Sequence, residues 1–363
     1  MPVKKERLLN LVSSMVDIYS PTGKEEKIVK FLNNYLIANK LNPVLQEVEK
    51  DRENIIIYDE ENKPSICFAG HLDTVSASDY EHYGFDHDGD EVFGLGTSDM
   101  KGGCAAMIEA FHAFLEDKGK LPSAALALLV GEEEYGDGAN KFLEEYSFSW
   151  AVIGEPTQLK PCFDHYGYIE ASLHTKGKKK HASLAKKEEN AVQTMLVSLL
   201  KITEFVDAMG DGIIFNIRDL FSSRSGFVVP DYCESLLDFH LPPHYPSGKM
   251  IVGLEEFIRS LFPNQKRIDE ILNIITIHSG YSIPATGPFA AKLQDVFKKL
   301  GIKWETSYFP SDSDAVYFWD NGVKPIILGP GSLEKAHRED ESAPFSQIVK
   351  AAEIYYSILE SID

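Results

Sequence analysis

The chain has 363 residues, of which 36 are Lys or Arg and 56 are Asp or Glu, giving a formal net charge of −20. This composition is that of a globular protein with one large domain or two, and no apolar run approaches the roughly 20 residues that span a membrane. The acidic balance argues against binding to nucleic acid or to a membrane surface unless a local basic patch exists. One candidate patch, KGKKKH at 176–181, is interpreted as a solvated turn.

The first twenty residues predict an amphipathic helix rather than a signal peptide, because the apolar positions from Leu8 to Val16 are spaced as on one helical face. The four cysteines are far apart and form no CxxC pair. This spacing indicates neither a disulfide framework nor a thiolate zinc site. We therefore expect a cytoplasmic protein.

From Ile55 to about Gly154, short apolar runs alternate with helical patterns. NIIIYD, SICFAG, SAALALLV and WAVIGE predict strands, and GGCAAMIEAFHAFLEDKG and GANKFLEEY predict helices between them. Strands that are apolar on both faces and separated by helices indicate an α/β fold with a mainly parallel, doubly wound sheet. Ligands of such sheets gather at the C-terminal ends of the strands.

After Gly167 the pattern changes to that of a small α+β domain. Its order is a strand (YIEASLHTKG), a long helix (NAVQTMLVSLLKITEFVDAM), two strands around the Pro-Asp turn of SGFVVPDYCESLLDFHLPP, a helix (KMIVGLEEFIRSLF) and a strand near ILNIITIHS. This order fits a ferredoxin-like sandwich with an antiparallel sheet. Because the doubly wound pattern returns at about Tyr281, we predict an α/β domain of residues 1–169 and 281–363, with an inserted domain at 170–280.

Two groups of polar residues stand next to predicted elements. His71 and Asp73 follow a strand in CFAGHLDTV, where the Asp73 carboxylate can orient the ring of His71 as a metal ligand. A surface His–Asp pair is the simpler explanation of these two residues alone. Asp99, in GLGTSDMKGG, precedes a predicted helix, where an aspartate also serves as an N-cap.

Further ligand types follow neighbouring strands. The run GEEEYG contributes Glu132, Glu133 and Glu134, the next strand is followed by Glu155, and His337 lies in the loop LGPGSLEKAHREDE. A parallel sheet brings such carboxylates to one edge, where like charges are unfavourable without a cation. The pattern predicts two zinc ions that share a bridging carboxylate, with cobalt or manganese as substitutes.

In chain order, GHLDTV, SDMKGG, the glutamate run, GEP, and GPG followed by AHxxxE resemble the motifs of one family. This is the co-catalytic zinc amidohydrolase and metallopeptidase family of acetylornithine deacetylase, succinyl-diaminopimelate desuccinylase, aminoacylases and related carboxypeptidases. The resemblance covers nearly the whole chain. It implies a catalytic α/β domain with an inserted lid and dimerisation domain, hence a homodimer, and a cis peptide bond after Asp99.

The resemblance also implies a ligand set. His71 and Glu155 would hold one zinc ion, Glu134 and His337 would hold the other, and Asp99 would bridge both. The implied reaction is hydrolysis of an amide bond by a metal-activated water.

The remaining roles are likewise implied by the resemblance. Counting back from Gly136 makes Glu133 the general base, and Asp73 matches the partner of the first histidine. His181 matches a lid histidine that reaches the active site of the second subunit and helps to stabilise the oxyanion. A histidine at a helix start among lysines also explains His181.

One departure from the family motifs concerns the substrate. LLDFHLPP has His240 where the deacetylase and desuccinylase branches have an arginine for the substrate carboxylate, and a histidine is a poorer carboxylate clamp. Arg218 and Arg224 are candidate replacements. The resemblance implies an N-acyl or aminoacyl amino-acid derivative as substrate, and the departure argues against strict specificity for N-acetylornithine or succinyl-diaminopimelate. The alternatives are an exopeptidase acting on short peptides, removal of an amino acid from a carrier protein, and a non-catalytic binding protein.

Overall fold

The structure is a computed structural model that describes residues 2–59, 63–78, 80–210, 212–224, 226–263 and 267–363. The chain divides into two compact units. The first comprises Met1–Phe163, Ile283–Phe309 and Ser313–Asp363, and the second comprises Asp164–Ser282 and Pro310–Asp312. The insertion expected at 170–280 falls within the range of the second unit.

The α-helices of the described residues are α1 (Lys5–Val16), α2 (Glu26–Ala38), α3 (Lys101–Lys118), α4 (Asp137–Glu145), α5 (Ala191–Asp207), α6 (Ser247–Leu261), α7 (Pro288–Lys299), α8 (Ala315–Asp320) and α9 (Phe345–Ile362). The strands are β1 (Val44–Glu49), β2 (Arg52–Ile57), β3 (Ile66–His71), β4 (Asp86–Asp88), β5 (Glu91–Phe93), β6 (Ala125–Leu129), β7 (Trp150–Ile153), β8 (Cys162–His165), β9 (Gly167–Lys176), β10 (Ile214–Ser222), β11 (Tyr232–Leu241), β12 (Leu272–His278), β13 (Tyr281–Ser282), β14 (Ser307–Phe309), β15 (Lys324–Ile327) and β16 (Ser342–Pro344). Within the described part of the chain, none of these helices is both long enough and apolar enough to cross a membrane.

The main sheet of the first unit has the order β1-β2-β6-β3-β7-β15-β8, with β14 also paired to β8. Its central strands β6, β3, β7 and β15 run parallel to one another. Every residue of β3 and β6 is buried, as expected for strands covered on both faces. Phe68 of β3 packs on Phe111 of α3 and Tyr355 of α9, with ring centroids 5.7 Å apart in both pairs. The predicted α/β class with a mainly parallel sheet is confirmed.

The parallel strands end at one edge of this sheet. The last residues of β3, β6, β7 and β15 are His71, Leu129, Ile153 and Ile327. His71 pairs directly with Leu129 in the ladder between β3 and β6. The loops that follow these strands therefore begin side by side, at the edge where α/β sheets bind ligands.

The second unit contains a four-stranded antiparallel sheet in the order β10-β11-β9-β12. Helices α5 and α6 contribute to its apolar core, which includes Met195, Leu254 and Phe239 of β11. Along the chain the elements follow the order β9-α5-β10-β11-α6-β12. This is the predicted ferredoxin-like order.

One predicted strand of this unit is wrong. We expected two strands within SGFVVPDYCESLLDFHLPP, but this segment contains one strand, β11. The partner of β11 is β10, which lies upstream at Ile214–Ser222. Strand β10 is at the edge of the sheet, and nearly all of its residues are exposed. An exposed edge strand lacks the alternation of apolar and polar residues on which such a prediction depends.

Candidate metal centre

His71, at the end of β3, is 1% exposed. Its Nδ1 atom lies 3.0 Å from the carbonyl oxygen of Asp73 and 3.6 Å from a carboxylate oxygen of the same residue. With the proton on Nδ1, the ring donates to the carbonyl and leaves the Nε2 lone pair for a metal ion. Nδ1 of His71 therefore lies nearer to the backbone carbonyl of Asp73 than to its carboxylate, which was the predicted partner.

The carboxylate of Asp73 holds the acidic turn after β6. It accepts the backbone N–H groups of residues 131–133 at 3.0–3.2 Å and the hydroxyl of Thr22 at 2.7 Å. Burial raises the pKa of Asp73, but hydrogen bonds from His71, Thr22 and the turn outweigh burial, so the pKa is lowered. Asp73 is therefore ionised at neutral pH, and it fixes the backbone that carries the glutamates.

Asp99 faces two histidines. Its Oδ1 atom lies 3.1 Å from Nε2 of His71, and its Oδ2 atom lies 3.4 Å from Nε2 of His337. The peptide bond between Asp99 and Met100 is cis, as predicted. A carboxylate with one oxygen towards each imidazole is the arrangement of a ligand that bridges two cations.

Glu341 fixes the turn that carries Asp99, a role for which the sequence analysis named no residue. Its buried carboxylate accepts the backbone N–H groups of Ser98 at 2.9 Å and of Asp99 at 3.0 Å. Glu341 is the last residue of the AHxxxE motif, which is the only sequence signal for it. The contact joins residues 242 positions apart in the chain, so local spacing cannot reveal it.

The acidic turn directs two of its three glutamates towards the histidines. Oε2 of Glu132 lies 3.7 Å from Nε2 of His71, and Oε2 of Glu133 lies 3.1 Å from Nε2 of His337. Glu134 is exposed, and its carboxylate accepts a hydrogen bond from the hydroxyl group of Tyr135. The structure therefore does not bring Glu134, the expected ligand, to the cluster. Glu133, the expected base, lies where that ligand was expected.

The shift by one residue has a structural reason. Gly136, from which the count starts, precedes α4 with a left-handed φ of 59°. The glycine that packs against the end of β6 is Gly138, whose N–H donates to the carbonyl of Val130 at 3.1 Å. A Cβ atom on Gly138 would lie 2.1 Å from that same oxygen. Gly136, from which the count starts, packs against Tyr317 and not against the end of β6, so its position does not fix which glutamates face the histidines.

A buried ion-pair network holds the far end of the acidic turn. Arg52 donates two hydrogen bonds to the carboxylate of Asp137, the first residue of α4, and its Nη2 atom lies 3.1 Å from Glu25. Both Arg52 and Glu25 are buried. Asn54 hydrogen-bonds the backbone on both sides of the turn. Asp73 thus fixes the turn at its start, and Arg52 and Asn54 fix it at its end.

Glu155 completes the cluster from the end of β7. It is buried, and its Oε1 atom lies 3.7 Å from Nε2 of His71. The potential ligand atoms of His71, Asp99 and Glu155 lie within 4.8 Å of one another, as do those of Asp99, Glu133 and His337. Two such groups that share Asp99 fit two neighbouring cations.

The electrostatics of the cluster also fit cations. Burial first, and neighbouring carboxylates with it, raise the pKa of Glu132 and of Glu155 well above their ordinary values. Among the described residues, one buried oxygen each of Glu133 and Glu155 has no hydrogen-bond partner. Unsatisfied carboxylate oxygens beside imidazole nitrogens form a donor set that suits zinc, cobalt or manganese.

The other expected site residues lie in the second unit. His181 is exposed, and its Nδ1 atom lies 2.8 Å from the hydroxyl of Ser183. Arg218 forms ion pairs with Glu170 and Asp238. These two carboxylates offset the charge of the Arg218 guanidinium, whose side chain is 48% exposed.

The two remaining candidates differ in exposure. Arg224 is exposed, whereas His240 is partly buried with its ring 5.2 Å from that of Tyr168. Burial lowers the pKa of His240, so its ring is neutral at pH 7. In the described part of the chain, Nδ1 of His240 has no hydrogen-bond partner. A neutral imidazole offers a substrate one donor and one acceptor, without a charge.

Residues 67–361 match the sequence profile of peptidase family M20/M25/M40. The chain belongs to this family. As an M20 protein it is a hydrolase of the metallopeptidase and amidohydrolase type, with residue groups that can bind metal.

Relatives of this M20 protein carry different names. A probable carboxypeptidase of Aspergillus clavatus is 28% identical over 400 residues, which cover 97% of this chain and 88% of the relative. An acetylornithine deacetylase of Aliivibrio fischeri is 27% identical over 84% of this chain and 83% of its own. The crystal structure of a tripeptidase from Staphylococcus aureus matches the fold over 100% of both chains, with a TM-score of 0.79 at 19% identity.

Proposed function

We propose that this M20 protein hydrolyses the amide bond of an N-acyl or aminoacyl amino-acid derivative at a centre of two zinc ions, which cobalt or manganese can replace. The position of Asp99 carries the proposal, because its two carboxylate oxygens face two different histidines. His71 and Glu155 would hold one ion and His337 and Glu133 the other. When bound, the ions would lower the pKa of a water molecule and polarise the amide carbonyl.

Glu132 is our candidate for the general base, in place of Glu133. It lies next to the metal ligands, 3.7 Å from Nε2 of His71, and the backbone of its turn is fixed by Asp73. A carboxylate in this place can take the proton of the attacking water and pass it to the leaving nitrogen. Burial would keep the carboxylate close to the reacting atoms and away from bulk water.

Roles are also proposed for residues of the second unit. His181 would donate to the oxyanion, and the neutral His240 would contact the acyl or amino-acid part of the substrate. Because Arg218 is paired with two carboxylates, we propose no arginine clamp on β10. The substrate would therefore be held by neutral groups, which fits a broader range of small N-acyl amino acids and short peptides.

The test of this assignment compares three glutamine variants of one turn. Glu132→Gln should keep two metal ions per chain and lower kcat on N-acyl amino acids by about 10²–10⁴-fold. Glu133→Gln should lose one ion, and Glu134→Gln, the matched control, should resemble the unaltered protein. Metal is counted by mass spectrometry after dialysis. Metal loss in Glu134→Gln with full occupancy in Glu133→Gln would restore the assignment made from sequence.

A substrate panel separates the deacylase from its alternatives. N-acetyl and N-succinyl amino acids test the deacylase, the activity named for one relative, and dipeptides and tripeptides test the exopeptidase, the activity named for another. We expect the highest kcat/KM on an N-acyl amino acid. If the zinc-loaded protein hydrolyses no member of the panel, the proposed activity is wrong and a binding function takes its place.

We also propose that the protein is a homodimer formed through the second unit. Apolar side chains are exposed on α5 (Leu196, Val197 and Leu200) and on β10 (Leu220 and Phe221). Strand β10 is an edge strand, whose unpaired backbone groups can extend a sheet into a second copy. A patch of this kind is typical of a protein interface.

Sedimentation velocity tests the dimer. Leu200→Glu with Phe221→Glu should give a monomer, whereas Ile37→Glu, an exposed apolar residue of α2, should leave the dimer intact. A monomeric unaltered protein would contradict the proposal. In the part of the chain that the structure describes, the four cysteines are buried and no disulfide joins them, which supports a proposed reducing, cytoplasmic location.

A further inference from the structure

His337 stands in the middle of a loop whose two ends are fixed. We call residues 332–341 the His337 loop. At its start, the backbone N–H of Ser332 donates to the hydroxyl of Ser98 at 2.9 Å. At its end, the carboxylate of Glu341 accepts the backbone N–H of Ser98, also at 2.9 Å. Both ends are thus tied to the turn that carries the carboxylate proposed to bridge the two ions, and His337 lies between these two ties.

The packing around His337 does little to fix its ring. Its side chain is 50% exposed, and its Nε2 atom lies 3.4 Å from Asp99 and 3.1 Å from Glu133. Its backbone has a left-handed φ of 59°, which residues other than glycine adopt infrequently. A residue keeps such a conformation when the structure around it imposes that conformation. The contacts made to the backbone of His337 therefore matter for where its imidazole lies.

One contact to this backbone comes from Tyr80. The hydroxyl of Tyr80 donates a hydrogen bond to the carbonyl oxygen of His337 at 2.8 Å. Beside it, the backbone N–H of Glu81 donates to the carboxylate of Glu339 at 2.9 Å. Two consecutive residues thus hold the middle of the His337 loop from a distant part of the chain.

Residues 80–85, which we call the Tyr80 segment, are themselves held by residues near the N-terminus. The backbone N–H of Phe85 donates to the carboxylate of Asp17 at 2.9 Å. The ring of Tyr83 packs on that of Tyr19, with centroids 4.9 Å apart. A hydroxyl on a supported segment restrains the carbonyl that it binds, whereas a hydroxyl on an unsupported side chain would move with that carbonyl.

The hydrogen bond also limits what Tyr80 can do in the reaction. A tyrosine hydroxyl has one proton to donate, and that of Tyr80 is directed at the carbonyl of His337. Tyr80 would therefore act on the reaction through His337 and not by donating a proton to the substrate.

We propose that Tyr80 is a positioning residue, which holds the backbone of His337 so that the imidazole faces Asp99 and Glu133, and which thereby tightens the binding of the ion held there. The proposal rests on the proposed function, in which His337 is a metal ligand. A ligand whose backbone is already restrained loses less conformational freedom when the ion binds. The loss of one such hydrogen bond should weaken binding by about two- to tenfold.

The experiment compares two tyrosine variants of one segment. Tyr80→Phe removes the hydroxyl that holds His337 and keeps the ring. Tyr83→Phe, the matched control, removes another hydroxyl of the Tyr80 segment and keeps the ring that packs on Tyr19. The ion held by His71 and Glu155 is an internal reference, because a variant that keeps its affinity for this ion is folded around the centre.

Zinc affinities are measured by competition with a chromophoric chelator. In Tyr80→Phe, the dissociation constant of the weaker ion should rise about two- to tenfold, and that of the tighter ion should stay unchanged. Both constants should stay unchanged in Tyr83→Phe. The rate on an N-acyl amino acid is then followed as zinc is added. Tyr80→Phe should need more zinc to reach half of its maximal rate, and that maximal rate should approach the unaltered value.

Three results would overturn the positioning role. These are an unchanged affinity for the weaker ion in Tyr80→Phe, an equal loss in Tyr83→Phe, and a fall in kcat that excess zinc does not restore. The last result would assign Tyr80 to contact with the substrate.

Failure of the proposed function gives a different result. An unaltered protein that binds fewer than two ions would refute the two-ion centre and the role of Tyr80 together. A protein that binds two ions, loses affinity for one of them in Tyr80→Phe and hydrolyses no substrate would refute hydrolysis and support the positioning role.

Discussion

The two halves of the candidate metal centre are built differently. His71 and Glu155 follow sheet strands, and their side chains are 1% and 3% exposed. His337 lies in a loop with a left-handed φ of 59°, and its side chain is 50% exposed. A ligand held by a sheet is positioned before the metal arrives, whereas a ligand on an open loop is positioned with less help from packing. The buried half should therefore bind its ion more tightly, and the open half should admit substrate.

The largest effect should come from the residue that the two halves share. Asp99→Ala removes the carboxylate whose two oxygens face His71 and His337, so we expect the loss of both ions and of at least about 10⁴-fold in kcat/KM. Metal analysis and hydrolysis of the best N-acyl substrate measure this. Glu134→Gln, in which an exposed carboxylate is changed, is the control. Retention of two ions by Asp99→Ala would show that Asp99 does not bridge.

The next prediction separates the halves. His337→Ala should retain about one ion per chain, whereas His71→Ala should lose the ion of the buried half and weaken the whole cluster, because it leaves Glu132 and Glu155 without their imidazole. Each variant should lose about 10³-fold or more in activity. Timed treatment of the unaltered protein with a chelator should release one ion before the other. Simultaneous release would contradict the difference between the halves.

A smaller effect is expected from the network behind the acidic turn. Arg52→Gln leaves the buried Glu25 without its counter-ion, so we expect a loss of about 3 kcal/mol in unfolding free energy. Because the turn would be less well fixed, kcat should fall by about tenfold with KM and metal content little changed. Arg267→Gln breaks an exposed pair with Asp269 and should leave the unfolding free energy almost unchanged. Urea unfolding and steady-state kinetics measure both.

The smallest expected effect is the change with pH in the stability of the metal-free protein. Burial and neighbouring carboxylates raise the pKa of Glu132, Glu155 and Glu341, the last to about 7. Burial alone would lower the pKa of His71 and His337, but the carboxylates beside them have the larger effect and raise it. The folded protein therefore holds more protons than the unfolded chain above about pH 5, and its stability should fall as pH rises. Zinc competes with these protons, so the gain in Tm on adding zinc should grow with pH.

Thermal melts at pH 5.5, 6.5 and 7.5, with and without zinc, measure this dependence. Glu132→Gln removes one of the carboxyl groups whose pKa is raised, so the Tm of the metal-free variant should depend less on pH. Glu134→Gln should leave it unchanged. A metal-free Tm that rises with pH across this range would contradict the assigned signs.

Much of this arrangement can be predicted from sequence, for identifiable reasons. The buried strands β3 and β6 are apolar throughout, and each ligand type stands just after a strand or before a helix, so the edge and its chemistry are predictable. The choice among three consecutive glutamates is not, because it depends on how Gly138 packs against Val130. Arg52 and Glu341 act through contacts with residues far away in the chain. The periodicity of apolar residues in the sequence does not reveal such long-range contacts.

The order of the ligands along the chain has a consequence for synthesis. His71, Asp99 and Glu155 are translated early, and His337 is translated only after the whole second unit. At about 5–20 residues per second, a ribosome needs roughly nine to thirty-six seconds to pass from Glu155 to His337. With the proposed ligands, a nascent chain in this interval has the residues for one ion and lacks one residue for the other. The second ion would then bind only after His337 has left the ribosome, so the proposed hydrolysis would begin only after synthesis of the second unit.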